Sequence, residues 1–184
     1  MFKTAIIFSA LVVSTTASAS TGNLEGFKNI KFDTTTVSDV EAAGGKCQTF
    51  RSDYRSLGYK VGTTCKMGST TVFGVPVRDY TIEFNTAGKI VDITFVTADV
   101  SNSFSNVVNT TFGPATESSS EKPDRNVGRF STDYYSEWKF QNGTSIHLST
   151  RFNSTSRWTP FIEILTFKST NKSSFETKQV STDF

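Results

Sequence analysis

Between Asp79 and Pro114 the hydrophobic pattern changes period once, and that change constrains the fold more than any other feature of the chain. Tyr80, Ile82 and Phe84 alternate with Thr81 and Glu83, Asn85-Thr86-Ala87-Gly88 has the composition of a turn, and Val91, Ile93 and Phe95 then fall on one face. Period two on both sides of a turn predicts a hairpin with one buried face. After Ala98 the spacing becomes helical: Phe104, Val107, Val108 and Phe112 recur on one face, Asp99 or Ser101 can cap the start, and Gly113-Pro114 stops the helix. A hairpin feeding a helix is therefore the expected building unit.

The rest of the chain is expected to repeat that kind of unit. Phe27 to Phe32 reads as a strand, Thr36 and Asp39 are spaced as a capping box for a short helix from Val37 to about Ala43, and Gly44-Gly45 ends it. Short strands are expected at Cys47–Phe50, Tyr59–Lys66 and Thr70–Val75, with Tyr54 in the first loop. Ala115 to Asp133 is polar and reads as a long mobile loop. Tyr134, Trp138 and Phe140 share one parity before the turn Gln141-Asn142-Gly143. Ile146, Leu148 and Phe152 line the return strand, and Phe161–Phe167 forms a third, with Pro160 at its edge. Lys168 to Phe184 is polar and expected to fray. The fold class that follows is α+β: antiparallel sheet with two short helices, in tandem helix-then-strands units. Residues 20–168 form one domain, open to division into fused halves at 27–98 and 99–168, with a polar tail over 169–184.

Residues 1–19 read as a signal peptide. Lys3 precedes an apolar run from Ala5 to Val13, and Ala17-Ser18-Ala19 suits cleavage after Ala19. The apolar run is short for a bilayer span and has no second copy, which places the chain peripheral to a membrane at most. Export to an oxidising compartment makes a structural disulfide the expected state of Cys47 and Cys65, the only two cysteines. The formal net charge is +2, falling towards neutral without Lys3. The basic residues Arg51, Arg55, Lys60, Lys66 and Arg78 are interleaved with Asp53, Asp79 and Glu83, so nucleic acid is not an expected partner.

The segment Ile30-Lys31-Phe32-Asp33-Thr34-Thr35-Thr36-Val37-Ser38-Asp39-Val40, together with a second helix ending Phe112-Gly113-Pro114, resembles the unit openings of small exported bacterial proteins of the β-lactamase-inhibitor-protein and SmpA/OmlA type. Those proteins commonly carry Gly where this chain has Asp33. The resemblance implies an exported helix-plus-sheet binding scaffold and carries over no catalytic residue.

Enzyme signatures are missing from the sequence: no G-x-S-x-G, H-E-x-x-H, Walker loop or C-x-x-C occurs. A single histidine, His147, leaves no His-based metal cluster, and its parity opposite the apolar face predicts an exposed strand residue rather than a base. Asp79 and Glu83 could share a cleft, without any sequence sign that they do. The sequons at Asn109, Asn142, Asn153 and Asn171 read as incidental in an Asn- and Thr-rich chain. Aromatic residues and arginine anchor protein interfaces, and Tyr134, Tyr135, Arg157 and Trp158 border the same set of strands, so these four are the expected partner-binding residues. The function expected is a periplasmic or secreted binding or inhibitory module. It would use no catalysis, cofactor or metal, and would act by contact with an envelope or secreted protein. The alternatives are an enzyme of uncommon chemistry on cell-wall or glycan substrates, or a structural envelope component.

Overall fold

The computed structural model describes residues 22–53, 58–97, 104–121, 131–153 and 161–176, with backbone only at 121, 131–133, 151–153 and 161. The signal-peptide segment, Tyr54, Asp99, Ser101, Arg157, Trp158 and Pro160 lie outside the described side chains. The elements in chain order are β1 (Gly26–Phe27), β2 (Ile30–Lys31), α1 (Val37–Ala42), β3 (Lys46–Asp53), β4 (Tyr59–Met67), β5 (Thr70–Val72), β6 (Val75–Val77), β7 (Asp79–Phe84) and β8 (Ile90–Thr97). Then follow α2 (Phe104–Phe112), β9 (Glu117–Glu121), β10 (Ser131–Lys139), β11 (Ser145–Asn153), β12 (Phe161–Lys168) and β13 (Ser174–Glu176). Antiparallel sheet dominates, with two short helices, and the helix-then-strands order occurs twice.

The strands of both halves join one nine-stranded sheet, because β8 pairs with β12 from Thr97↔Glu163 to Asp92↔Lys168. From β9 the order runs β10, β11, β12, β8, β7 and β4. Beyond β7, strand β4 pairs with β3 along one edge and shares its other edge between β7 and β13. Gly62 sits at that changeover. A Cβ there would come within 2.3 Å of the Phe84 carbonyl oxygen, so only glycine lets the backbones approach this closely.

One face of the sheet carries the core. Ile82, Phe84, Ile93, Phe95, Ile146, Leu148, Leu165 and Phe167 point into a cluster closed by Val40 of α1, Phe104 and Val108 of α2, Phe27, Ile30 and Phe32, and Val72, Val75 and Val77. Edge-to-face rings join the layers, Phe27 against Phe95 at 4.7 Å and Phe112 against Phe140 at 5.6 Å. Trp138 is buried as expected, and its indole N–H donates to the Gly113 carbonyl at 2.9 Å where α2 ends. The α1 capping box forms as the sequence predicts: the Asp39 amide donates to Thr36 Oγ1 at 3.2 Å, and the Thr36 amide donates to Asp39 Oδ2 at 2.8 Å.

Four expectations change. The strand at Phe27–Phe32 is folded on itself as the hairpin β1–β2, turning through Lys28 at φ 54°. Thr70–Val75 likewise turns at Phe73 (φ 51°) and Gly74 (φ 82°), giving β5–β6 as a separate two-stranded sheet. The stretch taken for a long loop contains β9, which pairs with β10 over Glu117–Glu121. The tail does not fray through Glu176. Ser169 Oγ and Asn171 Nδ2 donate to the Ile90 carbonyl, Asn85 Nδ2 donates to the Lys172 carbonyl, and β13 pairs with β4.

Candidate binding face

The side of the sheet opposite the core is built by alternation alone. Every residue between the core positions of a strand points to it, and strand pairing lines these residues up in rows. One row crosses eight strands: Glu117, Glu137, His147, Thr166, Thr94, Thr81, Lys66 and Lys46. On one side of it runs Ser119, Tyr135, Ser149, Ile164, Val96 and Asp79, with Ile164 and Val96 directly opposed. On the other side runs Lys139, Ser145, Lys168, Asp92, Glu83, Thr64 and Gln48. Apolar side chains are thus confined to the Tyr135 row, the hydroxyls of Thr166, Thr94 and Thr81 sit at the centre of the face, and charged residues occur in all three rows.

An open groove of about 580 Å³ lies on the β9–β12 part of this face, lined among others by Tyr135, Glu137, His147, Ile164, Thr166 and Lys168. His147 occupies the predicted side of β11, yet it is half-buried and engaged: its Nε2 is 2.8 Å from Glu137 Oε1 and 3.0 Å from Ser145 Oγ. The expected exposure is reduced by the neighbouring strand, whose register sets Glu137 directly opposite. Burial lowers the imidazole pKa from 6.5, and the Lys168 charge lowers it further, while Glu137 works in the other direction. The same Glu137 carboxylate lies 3.5 Å from Lys139 Nζ, which also pairs with Glu117 and is held protonated above the ordinary range chiefly by that bond.

Asp92, the central carboxylate of the charged row, is half-buried. Desolvation raises its pKa above 3.8 against the pull of Lys168, and the nearby Glu83 charge adds to the rise. Glu83 is bound by Lys60 at 2.6 Å, and Asp79 pairs with its neighbour Arg78 at 3.0 Å, so those two carboxylates each hold a cation of their own. Among the described residues no group of three or more His, Cys, Asp or Glu side chains is placed to hold a metal, and no helix is long and apolar enough to cross a membrane.

The residues expected to bind a partner divide. Tyr134 and Tyr135 are successive on β10 and so point to opposite faces. Tyr135, 37% exposed, stands on the groove face, whereas Tyr134, 53% exposed, lies on the core side at the sheet margin. Convergence of both rings on one surface is therefore excluded by the strand they share. The Cys47–Cys65 disulfide is present and joins directly opposed residues of β3 and β4.

Sequence reasoning missed His147–Glu137, Asp92–Lys168 and the Ile164–Val96 pair, all of them cross-strand neighbours. The signal for the first was available in the turn. A two-residue Asn142-Gly143 loop would set Glu137 against Leu148, on the wrong face. Instead Phe140 closes on Thr144 around a three-residue loop with Gly143 at φ 79°, and the register moves by one to meet His147. Comparison with protein-family profiles, curated proteins and solved structures finds no match for this chain.

Proposed function

We propose that the protein is an exported binding or inhibitory module that engages a folded envelope or secreted protein through the groove face of its sheet. The observation that carries this reading is the composition of the face. Exposed Tyr135 and the half-buried, directly opposed Ile164 and Val96 lie in one row with Ser119 and Ser149 and are flanked by threonines and paired charges, an apolar centre with a polar rim. Its size favours a protein over a small molecule. Eight strands at about 4.8 Å spacing extend roughly 34 Å, which with the three rows gives an area on the order of 500 Å² before side chains add their reach. One partner's share of a standard interface is about 800 Å². The disulfide suits an oxidising compartment, which supports a periplasmic or secreted location.

The test compares capture from periplasmic extract by the wild-type protein and by Tyr135→Ala and Ile164→Asp. A specific partner should be retained by the wild type and lost by at least about tenfold with either substitution, the size expected of an interface hot spot. Both variants must melt as the wild type does. Capture that survives both changes places the interface elsewhere, and Tyr134→Ala then examines the opposite margin of β10. A second reading, the structural envelope component, has one observation in its favour: among the described residues the eight-residue strand β3 pairs only with β4, and no described strand pairs along its other edge. Concentration-dependent self-association in sedimentation, lost when Thr49→Pro blocks that edge, would select it.

A further inference from the structure

We propose that the groove face is a charge switch that becomes more positive as the solution turns acid, through His147 and Asp92 acting across Lys168. This deepens the binding reading above and rests on it only for the consequence to a partner. The geometry places the two titrating groups on either side of one cation. Lys168 of β12 is directly opposite Asp92 on β8 and directly opposite Ser145 on β11, whose hydroxyl lies 3.0 Å from His147 Nε2. Thr166, one position along the same face of β12, is the register partner of His147.

The charged groups around the pair are contributed by every neighbouring strand: Glu117 from β9, Glu137 and Lys139 from β10, Lys168 from β12, Glu83 from β7 and Lys60 from β4. At neutral pH the imidazole is uncharged and donates Nε2–H to Glu137. With Asp79 of β7, Lys66 of β4 and Lys46 of β3 on the same face, and counting Asp92, five carboxylates then face five ammonium groups. Protonation of His147 and Asp92 leaves four carboxylates facing six cations, with the His147 charge inside the groove. Half-burial means that this change is felt by whatever lies on the face, because water screens it less than at an exposed position. Burial lowers the His147 pKa from 6.5 and raises that of Asp92 from 3.8. A partner seated on the face therefore meets a more positive surface as these groups take up protons.

The chain has one histidine, so its ring resonances in an untagged protein are identified without further labelling. Titration of these by NMR should give a midpoint below 6.5 in the wild type. Lys168→Met should move it up by about half a pH unit or more, and Asp92→Asn should move it down, since Lys168 then faces His147 without its counter-charge. A wild-type midpoint at 6.5, or one indifferent to Lys168→Met, overturns the switch. The binding arm uses the captured partner at pH 7.5 and 5.5. Its affinity should change by about tenfold for the wild type and by less than about twofold for the doubly substituted His147→Gln/Asp92→Asn protein. Equal affinity at both pH values overturns the switch as a control of binding and leaves the binding reading standing. Failure to capture any partner overturns the binding reading, while the titration still decides the switch.

Discussion

Glu163 is the one buried acidic side chain among the described residues, 1% exposed on the core side of β12, and its Oε2 accepts the Phe104 amide at 2.6 Å. A carboxylate there satisfies a first-turn donor of α2 and opposes the helix dipole. Glu163→Ala should cost about 2 kcal/mol of stability, read as a lower denaturant midpoint at constant slope, while Glu163→Gln, which keeps an acceptor, should cost less. His147 and Asp92, on the same face of the sheet, give opposite pH slopes. Unfolded Asp92 binds its proton near 3.8 and the folded protein binds it at higher pH, so stability falls as pH rises through that window and stays reduced above it. Asp92→Asn should therefore raise the melting temperature at pH 7 and lose that advantage below pH 3.8. Unfolded His147 binds its proton near 6.5 and the folded protein only at lower pH, so stability falls as pH drops below that value. Melting curves against pH should show this fall in the wild type and not in His147→Gln.

Among the elements, β4 is the most constrained, carrying the disulfide at Cys65 and the close approach at Gly62. Gly62→Ala must push Phe84 backbone aside and should cost about 1–3 kcal/mol, measurable by chemical denaturation. Cys47→Ser/Cys65→Ser opens a loop of sequence separation 18 and should cost about 3 kcal/mol by the same measurement. The elements readable from sequence were those whose cause is local: the capping box of α1, the Asn85–Gly88 turn, where Asn85 Oδ1 accepts from Ala87 and Lys89, and the alternation of β7, β8 and β12. Three others had no local cause. Lys28 takes a left-handed turn without being glycine, β9 has the sequence Glu-Ser-Ser-Ser-Glu and is made a strand only by pairing with β10, and the α2 amide finds its acceptor 59 residues away. The same reason hid most of the groove: its members were legible as outward-facing one by one, but their neighbours depend on register.

At the scale of the whole molecule, the two helix-then-strands units share one core, since Ile93 and Phe95 of the first lie opposite Phe167 and Leu165 of the second. Unfolding should accordingly be a single transition, with Trp138 fluorescence and far-ultraviolet circular dichroism giving coincident curves. Two separated midpoints would show that the units melt independently. The pairing of β8 with β12, and of β4 with a strand near the end of the chain, also has a consequence in time. During synthesis the first unit emerges with the β8 edge unmet, and it waits for some seventy further residues before Leu165 and Phe167 arrive to cover Ile93 and Phe95. Such long-range pairing is slow, on the millisecond-to-second scale typical of high contact order. A nascent chain that cannot close its sheet early stays unfolded for longer after it is made.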